Sequence, residues 1–210
     1  MEAHSSPHNQ VPEAKRPRQS VPMHVVGGNS SLEDADVVFV GTDNHYDKGY
    51  QRAIANTLGI LPQAGDVVLT EGEPFGGGMS GSWVPEMAEV DTSTVTLSGW
   101  ENAGLYRQAA GLVDRMSQDI GMYNAAVSLG LGSIAAPFIA GLKRRIEQHE
   151  RDFDSVVLNE RSRAMKRSVM SVLGNRLKDG GTAFVYAGSA HLTRSQLSGM
   201  GRVRHVVLGV

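Results

Sequence analysis

Val37-Val38-Phe39-Val40, followed directly by Gly41-Thr42-Asp43-Asn44-His45, is the stretch from which the rest of the chain can be read. An unbroken apolar run rich in valine fits a strand covered on both faces, and the glycine turn behind it sets a histidine just past the strand's carboxyl end. The arrangement returns near the other end of the chain, where Ala183-Phe184-Val185-Tyr186 runs into Gly188-Ser189-Ala190-His191. In an open parallel sheet the crevice beyond the carboxyl ends of the strands binds ligands, because the neighbouring loops diverge there and helix N-termini point into it. Two histidines so placed point to one shared pocket.

Working outward, short β-branched runs alternate with helical stretches from Ala35 onward, the pattern of strand–helix–strand units. The reading places strands at 37–40, 66–70, 94–98, 182–187 and 203–208, and helices at 47–60, 101–122, 125–149 and 153–178, with a short one after Thr193. The expected fold is α/β: a single domain over 35–210 with a small, mostly parallel sheet flanked by helices. Residues 1–34 hold four prolines and five serines and few large apolar groups, so they are expected to be a disordered leader. Lys15-Arg16-Pro17-Arg18 in that leader reads either as a nuclear address or, more simply, as solubilising charge.

With a formal net charge of −2, from 20 basic and 22 acidic residues, no global field favours nucleic acid or an anionic membrane, and no nucleic-acid partner is expected. The absence of cysteine excludes disulfides, thiolate nucleophiles and thiolate metal sites. Residues 124–142 are uncharged, but they are interrupted by glycines and Pro137 and dominated by small residues, so they read as buried helix and loop rather than an integral membrane span. The first 24 residues lack the apolar core of a secretory signal, which disfavours the general secretory route.

Two further strands carry acids at the same edge. Asp66-Val67-Val68-Leu69-Thr70 ends in Glu71-Gly72-Glu73, and Thr94-Val95-Thr96-Leu97 leads into Ser98-Gly99-Trp100-Glu101. Buried carboxylates need a cation. Met165, Val169, Val172 and Leu173 form an apolar helical stripe, and one turn back from Met165 stands Arg161, which therefore points inward. It is either a snorkelling arginine at a helix start or the guanidinium that neutralises the glutamates and holds an anionic or carbonyl group. His45, Glu71, Glu101, Arg161 and His191 are the candidate catalytic residues. The histidines and carboxylates can ligate a metal, or act as metal-free acid and base with a glutamate orienting each imidazole; the metal is left unknown. Thr42, Ser98 and Ser189 offer hydroxyls nearby, and none stands in a Gly-x-Ser-x-Gly elbow. Gly76-Gly77-Gly78-Met79-Ser80-Gly81 lacks the Lys-Ser/Thr of a phosphate loop and reads as a mobile loop, able to cover the pocket with Trp83. His4, His8, His24, His149 and His205 receive no role.

Taken in order, the strand with Gly41-Thr42-Asp43-Asn44-His45, the strand with Glu71, Gly99-Trp100-Glu101, Glu160-Arg161-Ser162-Arg163-Ala164-Met165 and Gly188-Ser189-Ala190-His191-Leu192 resemble the erythromycin esterase and ChaN-like (EreA/ChaN-like) superfamily, which includes the TraB and Tiki proteins. The leader resembles the N-terminus of bacterial type III secreted effectors, among which the HopBA group of plant-pathogenic bacteria has a domain of this kind. The chain departs from the esterase pattern at Thr42, where relatives carry glutamate, and in lacking a second histidine before His191.

The resemblance implies a pocket lined by the five candidate residues. Relatives use theirs for ester hydrolysis, metal-dependent peptide cleavage or haem binding, so a divalent metal or haem enters as a cofactor only by resemblance. It further implies a virulence effector, secreted by a type III system into the cytoplasm of a plant host cell and able to trigger host cell death. Its partner would be a host protein or small-molecule substrate, with recognition by a host immune receptor. The alternatives are a ligand-binding protein without turnover, holding haem or metal, and a host-protein-binding module that acts through its surface.

Overall fold

Alternate residues of β2 (Val37–Thr42) belong to two different cores. Val37 and Phe39 pack with Met165, Val169 and Val172 on one side of the sheet, and Val38 and Val40 pack with Ile54 and Leu61 on the other. β5 (Ala183–Gly188) is shared in the same way, with Val185 on the first side and Phe184 and Tyr186 on the second. Because a strand sends successive side chains to opposite faces, both faces must be apolar when both are covered, and this is why the runs do not alternate.

The computed structural model describes residues 23–42, 47–76, 95–130, 135–175, 180–192 and 198–208. Its elements in chain order are β1 (Met23–Gly28), β2, α1 (Lys48–Ile60), β3 (Val67–Pro74), β4 (Thr96–Glu101), α2 (Ala103–Ser128), α3 (Ala136–Phe153), a π-helical segment Asp154–Glu160, α4 (Arg161–Asn175), β5, a 3-10 turn Ser189–His191 and β6 (Val203–Leu208). The six strands form one sheet in the order β1-β6-β2-β5-β3-β4. β1 is antiparallel to β6 and every other pairing is parallel. The chain is therefore α/β with a mostly parallel sheet flanked by helices. β5 lies between β2 and β3, so the carboxyl ends of β3, β4 and β5 meet at one edge.

The ordered sheet begins at Met23, which corrects the expectation of disorder for the stretch from there to residue 34; residues 1–22 lie outside the described residues. β1 is an edge strand held by main-chain pairing to β6, with a register shift between Val25 and Gly27. Val25 and Val26 stay largely exposed, so no apolar pattern marks the strand. Gly28 adopts φ 118°, and a Cβ there would stand 2.4 Å from the Val203 carbonyl oxygen, so the position admits only glycine.

The helical region also departs from expectation. Asn102 caps α2 by accepting from the Gly104 and Leu105 amides, and α2 then runs unbroken through the proposed break near residue 123. The true break follows Ser128, where Gly130 takes φ 66°. α2 and α3 lie antiparallel as a hairpin, joined by the buried carboxylate of Asp119, which accepts from Arg145 Nε and Nη2 at 2.9 Å and faces His149 Nε2 at 3.2 Å. The described parts of stretch 124–142, residues 124–130 and 135–142, lie toward the tip of this hairpin and are mostly exposed. Leu129 is 72% and Phe138 51% accessible, while Ala126 and Leu142 are buried, which corrects the reading of a buried segment. Within the single helix expected over 153–178, the described residues are the last residue of α3, the π-helical segment and α4 as far as Asn175, and 176–178 lie outside the described residues. Among the described residues no helix is long and apolar enough to cross a membrane. The short helix expected after Thr193, and the glycine loop beyond Gly76 with Trp83, fall outside the described residues.

Candidate functional site

Each acid arrives at the edge by a different local device. Beyond Thr70 the β3–β4 register shifts, with Gly72 at φ 85°, and such an irregularity re-aims the side chains around it. Glu71 is thereby turned into the protein and left 7% exposed. Glu101 is the last residue of β4 and is more deeply buried, at 2% exposure. Arg161 opens α4 immediately after the π-helical segment, and His191 closes the 3-10 turn after β5.

These four side chains meet. Arg161 Nη2 donates to Glu71 Oε1 at 3.0 Å and to Glu101 Oε1, while Arg161 Nε donates to Glu101 Oε2 at 3.2 Å, a two-pronged contact with one carboxylate and a single bond to the other. Glu71 Oε2 accepts the Gly188 amide at 2.7 Å. His191 Nε2 lies 3.6 Å from Glu71 Oε1, an ion-pair separation longer than a good hydrogen bond. The cluster thus confirms the inward orientation read for Arg161. His45 lies outside the described residues; β2 ends at Thr42, opposite Gly188.

Trp100 forms one wall. Its indole N–H donates to the Tyr186 carbonyl at 3.0 Å, and its own carbonyl accepts from Ser168 Oγ at 3.0 Å. The guanidinium carbon of Arg161 sits 5.6 Å from the Trp100 ring centre and 5.7 Å from that of Tyr106, within cation–π range of both, and the His191 ring meets Trp100 edge-on at 5.6 Å. Tyr106 is partly exposed and marks the outer rim.

Electrostatics differ between the two acids. Burial opposes the charge on Glu71, yet His191, Arg161 and the Gly188 amide together bring its carboxyl down to about 2. Burial acts on Glu101 more strongly than the Arg161 contacts can offset, and with the negative charge of Glu71 added its carboxyl is raised. Arg161 is raised by its two carboxylates, against the effect of burial, and stays charged. Two carboxylates and one guanidinium so close together favour a further proton within the cluster, and Glu101 is the acid that takes one up more readily.

Several participants escaped the sequence reading. Ser162 is fully buried, and its Oγ lies 2.9 Å from His191 Nδ1 while donating to the Leu158 carbonyl. Beside the cluster, His205 Nε2 and the Oγ of Ser189, the latter already named for its hydroxyl, are buried without hydrogen-bond partners among the described residues, and both approach Gly41. Burial holds the His205 imidazole below its ordinary value. Nothing in the local sequence singles out His205, since it stands inside β6, and only the sheet register brings it opposite Phe39. Ser98, one of the hydroxyls considered, accepts the Gly76 amide at 3.0 Å and donates to the Gly99 carbonyl.

The arrangement has the parts for acid–base chemistry: an imidazole beside a carboxylate, a second acid biased toward protonation, and a buried guanidinium. No set of three or more histidines and acids among the described residues is placed to hold a metal ion. The class defined by fold and site is an α/β domain with a buried Glu–Arg–Glu–His cluster at the carboxyl edge of its sheet. No family model, curated protein or solved structure matches the chain.

Proposed function

We propose that this chain is a bacterial type III secreted effector with an erythromycin esterase/ChaN-like domain, whose His/Glu/Arg pocket performs hydrolase-like chemistry inside a plant host cell and whose action provokes host cell death. The observation that carries the pocket's role is the burial of Glu71, Glu101 and Arg161 together, with His191 against them. Ion pairs removed from water are replaceable by apolar residues at little or no loss of stability, so a buried charged cluster at the ligand-binding edge of a parallel sheet is better explained by function than by folding. In this reading His191 exchanges a proton with the substrate or an attacking water, Glu71 stabilises the imidazolium that forms, and Arg161 stabilises developing negative charge. The setting inside a host rests on the resemblance and on the composition of the leader.

A second reading is favoured by a separate observation. The α2–α3 hairpin exposes Val127, Leu129 and Phe138 near its tip, and a chain that acts by engaging a host protein would use such a surface instead of the pocket. Expression of His191→Ala and Leu129→Glu/Phe138→Glu variants in plant leaves, at matched protein level and melting temperature, separates the two. The first reading expects only His191→Ala to abolish cell death, and loss through the hairpin variant alone would replace it with the second.

A further inference from the structure

Ser162 stands one residue beyond Arg161 and has no exposed surface. A hydroxyl carries one proton and accepts through its lone pairs. Two acceptors face Ser162 Oγ: the Leu158 carbonyl, one turn back on the same helix, and, depending on tautomer, His191 Nδ1 at 2.9 Å. The contact with Leu158 is oxygen to oxygen, so it requires a proton between the two atoms, and only the serine can supply it. With that proton committed, Ser162 Oγ faces the imidazole as an acceptor, and Nδ1 must be the donor.

We propose that Ser162 is a positioning residue that fixes His191 in the tautomer protonated at Nδ1, so that Nε2, on the side of Glu71, is the nitrogen that gains and releases a proton. The inference rests on the reading of His191 as the proton-exchanging group and adds which of its atoms does the work. The competing arrangement, in which Ser162 donates to Nδ1 and Nε2–H points to Glu71, sets two bare oxygens against each other at Leu158. It also relies on the 3.6 Å separation from Glu71 in place of the 2.9 Å contact to Ser162. The His191 ring also packs against Trp100 in a T-shaped contact, with ring centres 5.6 Å apart.

The test is long-range nitrogen–proton NMR of the full chain labelled at histidine, with the His191 signals assigned by their loss in His191→Gln. As pH is raised until the ring is neutral, Nδ1 is expected to hold its protonated shift while Nε2 moves to the shift of a bare nitrogen. In Ser162→Ala, folded as judged by circular dichroism, the neutral ring is expected to shift to the form protonated at Nε2, toward Glu71. Ser162→Thr, which retains the hydroxyl, restores the wild-type pattern if it folds. Deprotonation at Nδ1 in the wild type, an unchanged tautomer in Ser162→Ala, or a ring that keeps both protons up to the pH of unfolding would each overturn the assignment. The reading needs no substrate. If His191→Ala leaves cell death intact, the proposed function fails while the tautomer result stands by itself.

Discussion

Arg161 Nη2 and Glu71 Oε1 are 3.0 Å apart although ninety positions separate them in the chain, and neither side chain is more than a tenth exposed. That bond joins the start of α4 to the end of β3 and, through the second glutamate, to the end of β4. A single guanidinium therefore ties together the elements that make the site.

Removing the guanidinium alone should be costly. Arg161→Met leaves two buried carboxylates facing each other, and breaking a buried ion pair typically costs about 3–5 kcal/mol. For a domain of this size that corresponds to a fall of roughly 10 °C in melting temperature. The triple variant Glu71→Gln/Glu101→Gln/Arg161→Met should regain most of the loss, because no bare charge remains. Calorimetry on the two variants checks this; equal destabilisation in both would mean that packing, not charge, sets the cost.

The two acids impose opposite pH dependences. Glu71, lowered to about 2, contributes stability that is complete above the ordinary carboxylate value of 4.5 and is lost as pH falls toward 2. Glu101, raised, contributes stability that is present below 4.5 and lost as pH climbs through its folded value. Denaturant titrations across pH should show Glu71→Gln flattening the acid limb, and Glu101→Gln flattening the limb above it. An acid limb unchanged in Glu71→Gln would contradict the assignment.

Gly41 should not tolerate alanine. A Cβ there would lie 2.9 Å from Ser189 Oγ, 3.2 Å from Leu192 Cδ1 and 3.4 Å from His205 Nε2. Overpacking of this kind costs about 1–3 kcal/mol. Adding Ser189→Ala removes the nearest atom, so the double variant should melt above Gly41→Ala alone. If the two substitutions are additive in thermal melts, the clash lies elsewhere.

Asp119 closes the α2–α3 hairpin through Arg145 and His149, which hold its carboxyl below the ordinary range. Asp119→Asn should speed amide hydrogen exchange along the facing stretches of α2 and α3 while leaving the sheet amides as protected as before. Exchange that rises uniformly over the whole domain would instead tie the hairpin to global stability.

What could be read beforehand follows physical lines. β2 and β5 announced themselves because both of their faces are buried, so Val37-Val38-Phe39-Val40 and Ala183-Phe184-Val185-Tyr186 carry no polar alternation. Glu71, Glu101 and His191 were legible because each stands at or just beyond the end of an apolar strand run, and Arg161 because an apolar stripe on α4 gave its direction. β1 was hidden, since an edge strand with Val25 and Val26 exposed needs only backbone pairing. Ser162 and the Asp119 clasp were hidden for another reason. The π-helical segment changes the phase of the helix ahead of Arg161, and contacts between distant helices leave no local periodicity.

The most direct test of the central claim, that the pocket is used, is host-cell death after expression of His191→Ala in plant leaves, with protein level and melting temperature matched to wild type. The account predicts that the wild-type chain kills and the variant does not, with the fold intact. Cell death undiminished in a folded His191→Ala chain would contradict it and move the activity to the surface.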